Sequence, residues 1–160
     1  MSNALTSVVL SLVAGTSFAA NDPHSHADTS QFVVRHVSLD LAADFATHRL
    51  QGSATLSVER VDPAARELHL DTRDLEIRSV QRVDAQGQPH SLAFLLDDPD
   101  PILGRRLTIE LPPMVDESTS LQIRIDYRTS SEASALQWLE PAQTSGPHPY
   151  LYSQGQAIHT

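Results

Sequence analysis

Beyond residue 31 the chain alternates apolar and polar positions with a period of two, the repeat of strands that bury one face. Val37, Leu39 and Leu41 alternate with His36, Ser38 and Asp40. Leu50, Ala54, Leu56 and Val58 alternate with Gln51, Ser53, Thr55, Ser57 and Glu59, and Gly52 inside this run marks a bulge or a close backbone approach. Residues 44–48 join the two runs at hairpin length. Shorter strands are expected at 67–71, with Leu68 and Leu70 on one face, and at 75–83 after a turn at 72–74. The 84–89 segment, with Gly87, is a turn cluster, and 91–95 is a further short strand. In 106–111, Leu107, Ile109 and Leu111 point inward, and Pro112 and Pro113 end the strand because proline cannot donate to a ladder. Leu121, Ile123, Ile125 and Tyr127 form the inward face of another strand. Residues 131–139 read as a turn or two of helix, capped by Ser130 or Ser131 and ended by Pro141. The last alternation, 150–158, reads as a strand still in progress at Thr160. Short strands at such regular spacing specify an all-β domain of sandwich or barrel type.

Length and composition narrow this picture. The 160 residues suit one domain with one hydrophobic core. Residues 5–14 form an apolar run too short to span a bilayer, so no membrane span is expected. Small residues at Ser17 and Ala19 suit cleavage after Ala19, which makes 1–19 a signal peptide and the protein exported, to the periplasm or the medium. The polar stretch 20–31 then reads as a flexible linker, and 32–160 as the β domain. The formal charge of −9 and the lack of a basic face argue against nucleic acid as a partner. There is no Cys, which excludes disulfides, thiolate zinc sites and a Cys nucleophile.

Several clusters have the residue types of a site without its spacing. His24 and His26, flanked by Asp22 and Asp28, read as a solvated linker rather than a metal site. Asp97, Asp98 and Asp100 carry the charge of a calcium loop but lack its spacing and closing Glu, so an acidic turn stiffened by Pro99 and Pro101 is the expectation. No G-x-S-x-G elbow, H-E-x-x-H zinc helix or glycine-rich phosphate loop occurs. The run Gln154, Gly155, Gln156 offers two uncharged carboxamides that can both donate and accept, with a glycine between them that lets a ligand approach the backbone. By spacing alone an exposed strand end with two solvated Gln is the better reading.

The segment SALQWLEPAQTSGPHPYLYSQGQAIHT, which contains the chain's only Trp, closely resembles the leukotriene hydrolase branch of the zinc aminopeptidases, relatives of aminopeptidase N. Positions 134–146 and 148–159 carry the resemblance almost throughout. Upstream, HVSLDLAADFATHRLQGSATLSVER is similar to that family's opening hairpin, LHLDTRDLEIRSV to its next two strands, and DDPDPILGRRLTIELP to the following loop and strand. The resemblance implies a saddle-like antiparallel β-sandwich, the N-terminal domain that sits beside a zinc catalytic domain. It also implies that Gln156 lines the substrate cleft at the first residue of a peptide, with Gln154 and Gly155 in the same binding strand. Gly155 stands where some relatives have Cys. The family's Gly-x-Met-Glu-Asn motif, its H-E-x-x-H ligands with a downstream Glu, and its catalytic Tyr are not found in these 160 residues. The expectation is therefore an N-terminal domain cut before its catalytic domain, incomplete at its C-terminal end and inactive alone. Zinc would be bound by the full-length parent and not by this segment, and the partners would be a peptide substrate and the missing catalytic domain. The alternative is a standalone exported β-sandwich binding module.

Overall fold

Two long strands open the domain, β1 (Phe32–Asp44) and β2 (Arg49–Arg60), paired antiparallel around the 45–48 turn. The computed structural model describes residues 22–113 and 119–153. The remaining strands are β3 (Glu67–Thr72), β4 (Leu75–Val83), β5 (Pro89–Ser91), β6 (Phe94–Leu96), β7 (Arg105–Glu110), β8 (Ser120–Thr129), β9 (Leu136–Leu139) and β10 (Tyr150–Ser153). A five-stranded sheet runs β1-β2-β8-β4-β5, a three-stranded sheet β3-β7-β6, and a separate pair β10-β9. Every ladder between strands is antiparallel. The fold is all-β, as the alternation predicts.

The core forms where the two larger sheets meet face to face. Leu56 and Val58 of β2, Val80 of β4, and Ile123 and Ile125 of β8 are buried against Leu68 of β3 and Leu107 and Ile109 of β7. The register explains why these residues share a face: Leu56 lies opposite Ile123, and Ile125 opposite Val80. Each such side chain contributes roughly 1.5–3 kcal/mol on burial. Gly52 is a close approach rather than a bulge: a Cβ there would lie 2.0 Å from the Asp40 carbonyl oxygen. The register shift in this pair falls instead between Val34 and His36.

One charge enters the core. Arg60 is only 2% exposed; its guanidinium lies 5.5 Å from the centre of the Phe32 ring, and Nη2 donates to the Pro112 carbonyl at 3.0 Å. Nε and Nη1 are buried without a hydrogen-bond partner among the described residues. Burial pushes the Arg60 pKa down, with a smaller push from Arg66.

Two expected elements differ. The 91–95 strand is two short strands in different sheets, β5 beside β4 and β6 beside β7. The chain crosses between them at Leu92 and Ala93, where the Leu92 amide still bonds Val80 and the Ala93 carbonyl takes the Glu110 amide. The expected helix at 131–139 is absent: turns stabilised by Ala133 to Ser130 and Leu136 to Ala133 hydrogen bonds lead straight into β9. Leu139 and Trp138 there pair with Tyr150 and Leu151 across a ladder, and this tertiary pairing outweighs local helix propensity.

Candidate functional site

β9 and β10 make a hairpin whose second strand runs directly toward residue 154. Gln154, Gly155 and Gln156 themselves lie outside the described residues. What can be described is how the hairpin is built. Its loop begins with a short 3-10 turn (Pro141–Gln143), and the Gln143 side-chain oxygen accepts from the Glu140 amide at 2.9 Å. The Thr144 hydroxyl lies within 3.1–3.2 Å of the carbonyls of Pro141, Gly146 and His148, and gathers the loop around itself. Leu136 to Leu139 then register with Ser153 to Tyr150. Tyr150 and Tyr152 are exposed, on the same side of the strand by the period of two.

Among the described residues, the hairpin hydrogen-bonds to neither larger sheet through its strands. Trp138 of β9 packs on the β1–β2 turn. Phe45 meets the indole edge-on, with centroids 5.2 Å apart and planes at 89°. The His48 imidazole lies nearly parallel to it, 5.4 Å away at 12°, and His48 Nε2 is 3.7 Å from Glu140 Oε1. The turn that presents these rings is held by Asp44, whose carboxylate accepts from the amides of Ala46 and Thr47 and from the Thr47 hydroxyl. These bonds, led by the Thr47 hydroxyl, hold the Asp44 carboxyl below its ordinary value. The Trp138 indole nitrogen is buried without a hydrogen-bond partner among the described residues. Sequence patterning missed Phe45 and His48, because turn residues have no period. The single Trp was the available signal, since an indole in a polar segment needs an apolar seat.

Elsewhere the clusters singled out in the sequence take structural roles. Asp100 accepts from the amides of Ile102 and Leu103, which lower its pKa, and Asp97 pairs with Arg106 at 2.7 Å. The segment before β1, expected as a linker, meets Asp71 of β3: the Ser25 hydroxyl and His26 amide donate to its carboxylate at 2.6 and 2.8 Å. A cavity of about 410 Å³ beside the 72–76 turn is lined by Arg49, Arg73 and Arg105 and by Asp74, Glu76 and Asp100, a balanced set of charges. Arg49 and Arg73 donate to the backbone carbonyls of Thr129 and Ile102, and Glu76 pairs with Arg128. Among the described residues no group of three or more His, Asp or Glu could hold a metal. Nor does any described helix have the length and apolar character to cross a membrane.

Comparison with known proteins agrees with this geometry. Residues 33–160 match the model of the peptidase M1 N-terminal domain. Leucine aminopeptidase 2 of Phaeosphaeria nodorum is 36% identical over 139 residues, a match that covers 86% of this chain and 22% of that protein. Leukotriene A-4 hydrolase of Xenopus laevis is 37% identical over 139 residues, with the same two shares. The structure of yeast LTA4 hydrolase in complex with bestatin superposes with a TM-score of 0.75 at 30% identity, covering 91% of this chain and 22% of that one. The chain thus spans about a fifth of the length of these relatives.

Proposed function

The chain belongs to the peptidase M1 N-terminal domain family, and from that premise we propose that it forms one wall of the peptide cleft in a longer, zinc-dependent aminopeptidase. The observation that carries this reading is the β9–β10 hairpin. Its second strand ends at Ser153, and the next residues in the sequence are Gln154, Gly155 and Gln156, the run that the resemblance puts at the first residue of a peptide. Carboxamides suit that role because they accept from an ammonium group, donate to a carbonyl, and carry no charge that would compete for a metal. Glycine between them leaves the backbone open to the ligand. The domain's contribution is to hold the peptide's amino end in place, and held geometry lowers a barrier by converting binding into orientation. No zinc ligand is assigned to this segment, so the metal belongs to the rest of the longer chain. The segment 1–19, outside the described residues, supports export of the whole; amino-terminal sequencing of the protein recovered from outside the cytoplasm should begin at Ala20.

The test of the main reading compares the 160-residue chain with a longer chain that continues beyond Thr160. Release of an aminoacyl anilide by the longer chain, abolished by a chelator and restored by zinc, is the expected result, with no turnover by the 160-residue chain. Chelator-sensitive turnover by the short chain, or none by the long one, would contradict it.

A further inference from the structure

We propose that His48 is a positioning residue for the cleft hairpin, a proton-dependent clamp that ties β9–β10 to the β1–β2 turn through Trp138 and Glu140. The proposal rests on the reading above only in calling this hairpin the cleft strand. The clamp itself rests on geometry. Among the described residues, the hairpin has no strand-to-strand hydrogen bonds to the domain apart from its own ladder. Just upstream, Ser130 and Ser134 donate to the Asp74 carbonyl and carboxylate, which fixes the approach to β9 but not the strands beyond it. Trp138 therefore anchors the pair, and it stands directly opposite Leu151 of β10. Whatever fixes the indole fixes Leu151 and with it β10.

The imidazole stacked on that indole is a group whose charge ordinarily changes between about pH 5 and 8. Its protonated form gains two interactions: a cation over an indole face, and an ion pair with Glu140. Two carboxylates face it, Glu140 from the hairpin and Asp44 from the end of β1, while the guanidinium of the adjacent Arg49 is directed to the Thr129 carbonyl. The clamp is thus tightest when His48 carries its proton, and it weakens as pH rises through the histidine range. His48 also sits at φ 53°, a left-handed conformation that histidine and asparagine tolerate better than most residues. Asn can therefore replace it without disturbing the turn.

The test uses the 160-residue chain and its single Trp, whose emission is followed between about pH 5 and 8. Hydrogen exchange of the β9 and β10 amides, corrected for the intrinsic effect of pH, is the second readout. A protonated imidazole against an indole quenches it, so wild-type emission should follow one sigmoid. His48→Asn should flatten that sigmoid. Hairpin amides should exchange about two- to fivefold more slowly at the acid end in the wild type, with β2 and β8 unchanged, and should lose that difference in His48→Asn. A sigmoid that survives His48→Asn, or hairpin protection that does not follow the emission or that moves with the core, overturns the proposal. No peptide enters either readout. A hairpin that titrates as described but contributes nothing to peptide binding would overturn the cleft reading and leave the clamp standing.

Discussion

Val37 and Leu56 stand directly opposite each other in the β1–β2 ladder, yet Leu56 is 7% exposed and Val37 49%. Leu39, two residues on and on the same face, is 59% exposed. The three-stranded sheet covers β2, β8 and β4, whereas β1 lies beyond its reach except near Phe32. Identical alternation thus has different energetic weight in adjacent strands. Leu39→Thr should change the stability of this chain by no more than about 0.5 kcal/mol, whereas Ile123→Ala should cost about 2–5 kcal/mol. Urea unfolding of both variants measures this; a loss of several kcal/mol for Leu39→Thr would show that β1 is covered.

Gly52 faces a second constraint of the same ladder. An added Cβ would lie 2.0 Å from the Asp40 carbonyl, and backbone on both strands has little room to yield. Gly52→Ala should destabilise by more than the few tenths expected at an unconstrained strand glycine, on the order of 1–3 kcal/mol. The midpoint of urea unfolding decides it, and an unchanged midpoint would mean that β1 gives way at Asp40.

Arg60 carries charge into the core with one hydrogen bond, to Pro112, and two donor nitrogens without partners among the described residues. A methionine of similar length keeps the contact with Phe32 and removes the cost of desolvating a cation. Arg60→Met should leave stability unchanged or raise it, by up to about 1–4 kcal/mol. A clear loss on denaturation would show that the guanidinium is held by more than the Pro112 carbonyl.

Four turn carboxylates titrate low. The Ser30 hydroxyl lowers Asp28, the Thr47 hydroxyl Asp44, the His90 ring Asp84, and the Leu103 amide Asp100. Each has a folded pKa below the unfolded value of about 3.9, so its contribution is present above that pH and is lost as pH falls through the folded value. Thermal melts should therefore show Tm falling steadily below about pH 4. In Asp100→Asn the fall should be shallower. A Tm that stays level into strong acid would contradict the sign.

Strand positions were legible in the sequence because a half-buried strand writes its period into side-chain polarity. β4 is observed with the expected bounds, and β2, β3, β7 and β8 differ by a residue or two at their ends. The sheet to which a strand belongs was not legible. Leu92 and Ala93 look like the middle of one strand, and only the positions of β4 and β7 separate β5 from β6. For the site, the motif in 134–159 marked the segment that forms β9 and β10, but nothing local showed that Trp138 would rest on Phe45 and His48, far back in the β1–β2 turn. Such contacts depend on tertiary placement, which has no period.

The central claim is that the strand continuing from β10 holds the amino end of a peptide, and the longer enzyme with Gln156→Ala tests it most directly. The resemblance puts Gln154 and Gln156 in one binding strand, whose period of two would give them a common face, with Gln156 at the peptide's first residue. Losing a hydrogen bond to a charged group costs about 1.5–3 kcal/mol, or about ten- to a hundredfold in kcat/KM. Gln156→Ala should show that loss on short peptides and Gln154→Ala a smaller one, with zinc content and Tm unchanged in both. Wild-type kcat/KM in Gln156→Ala, or a loss that merely tracks unfolding, would contradict it.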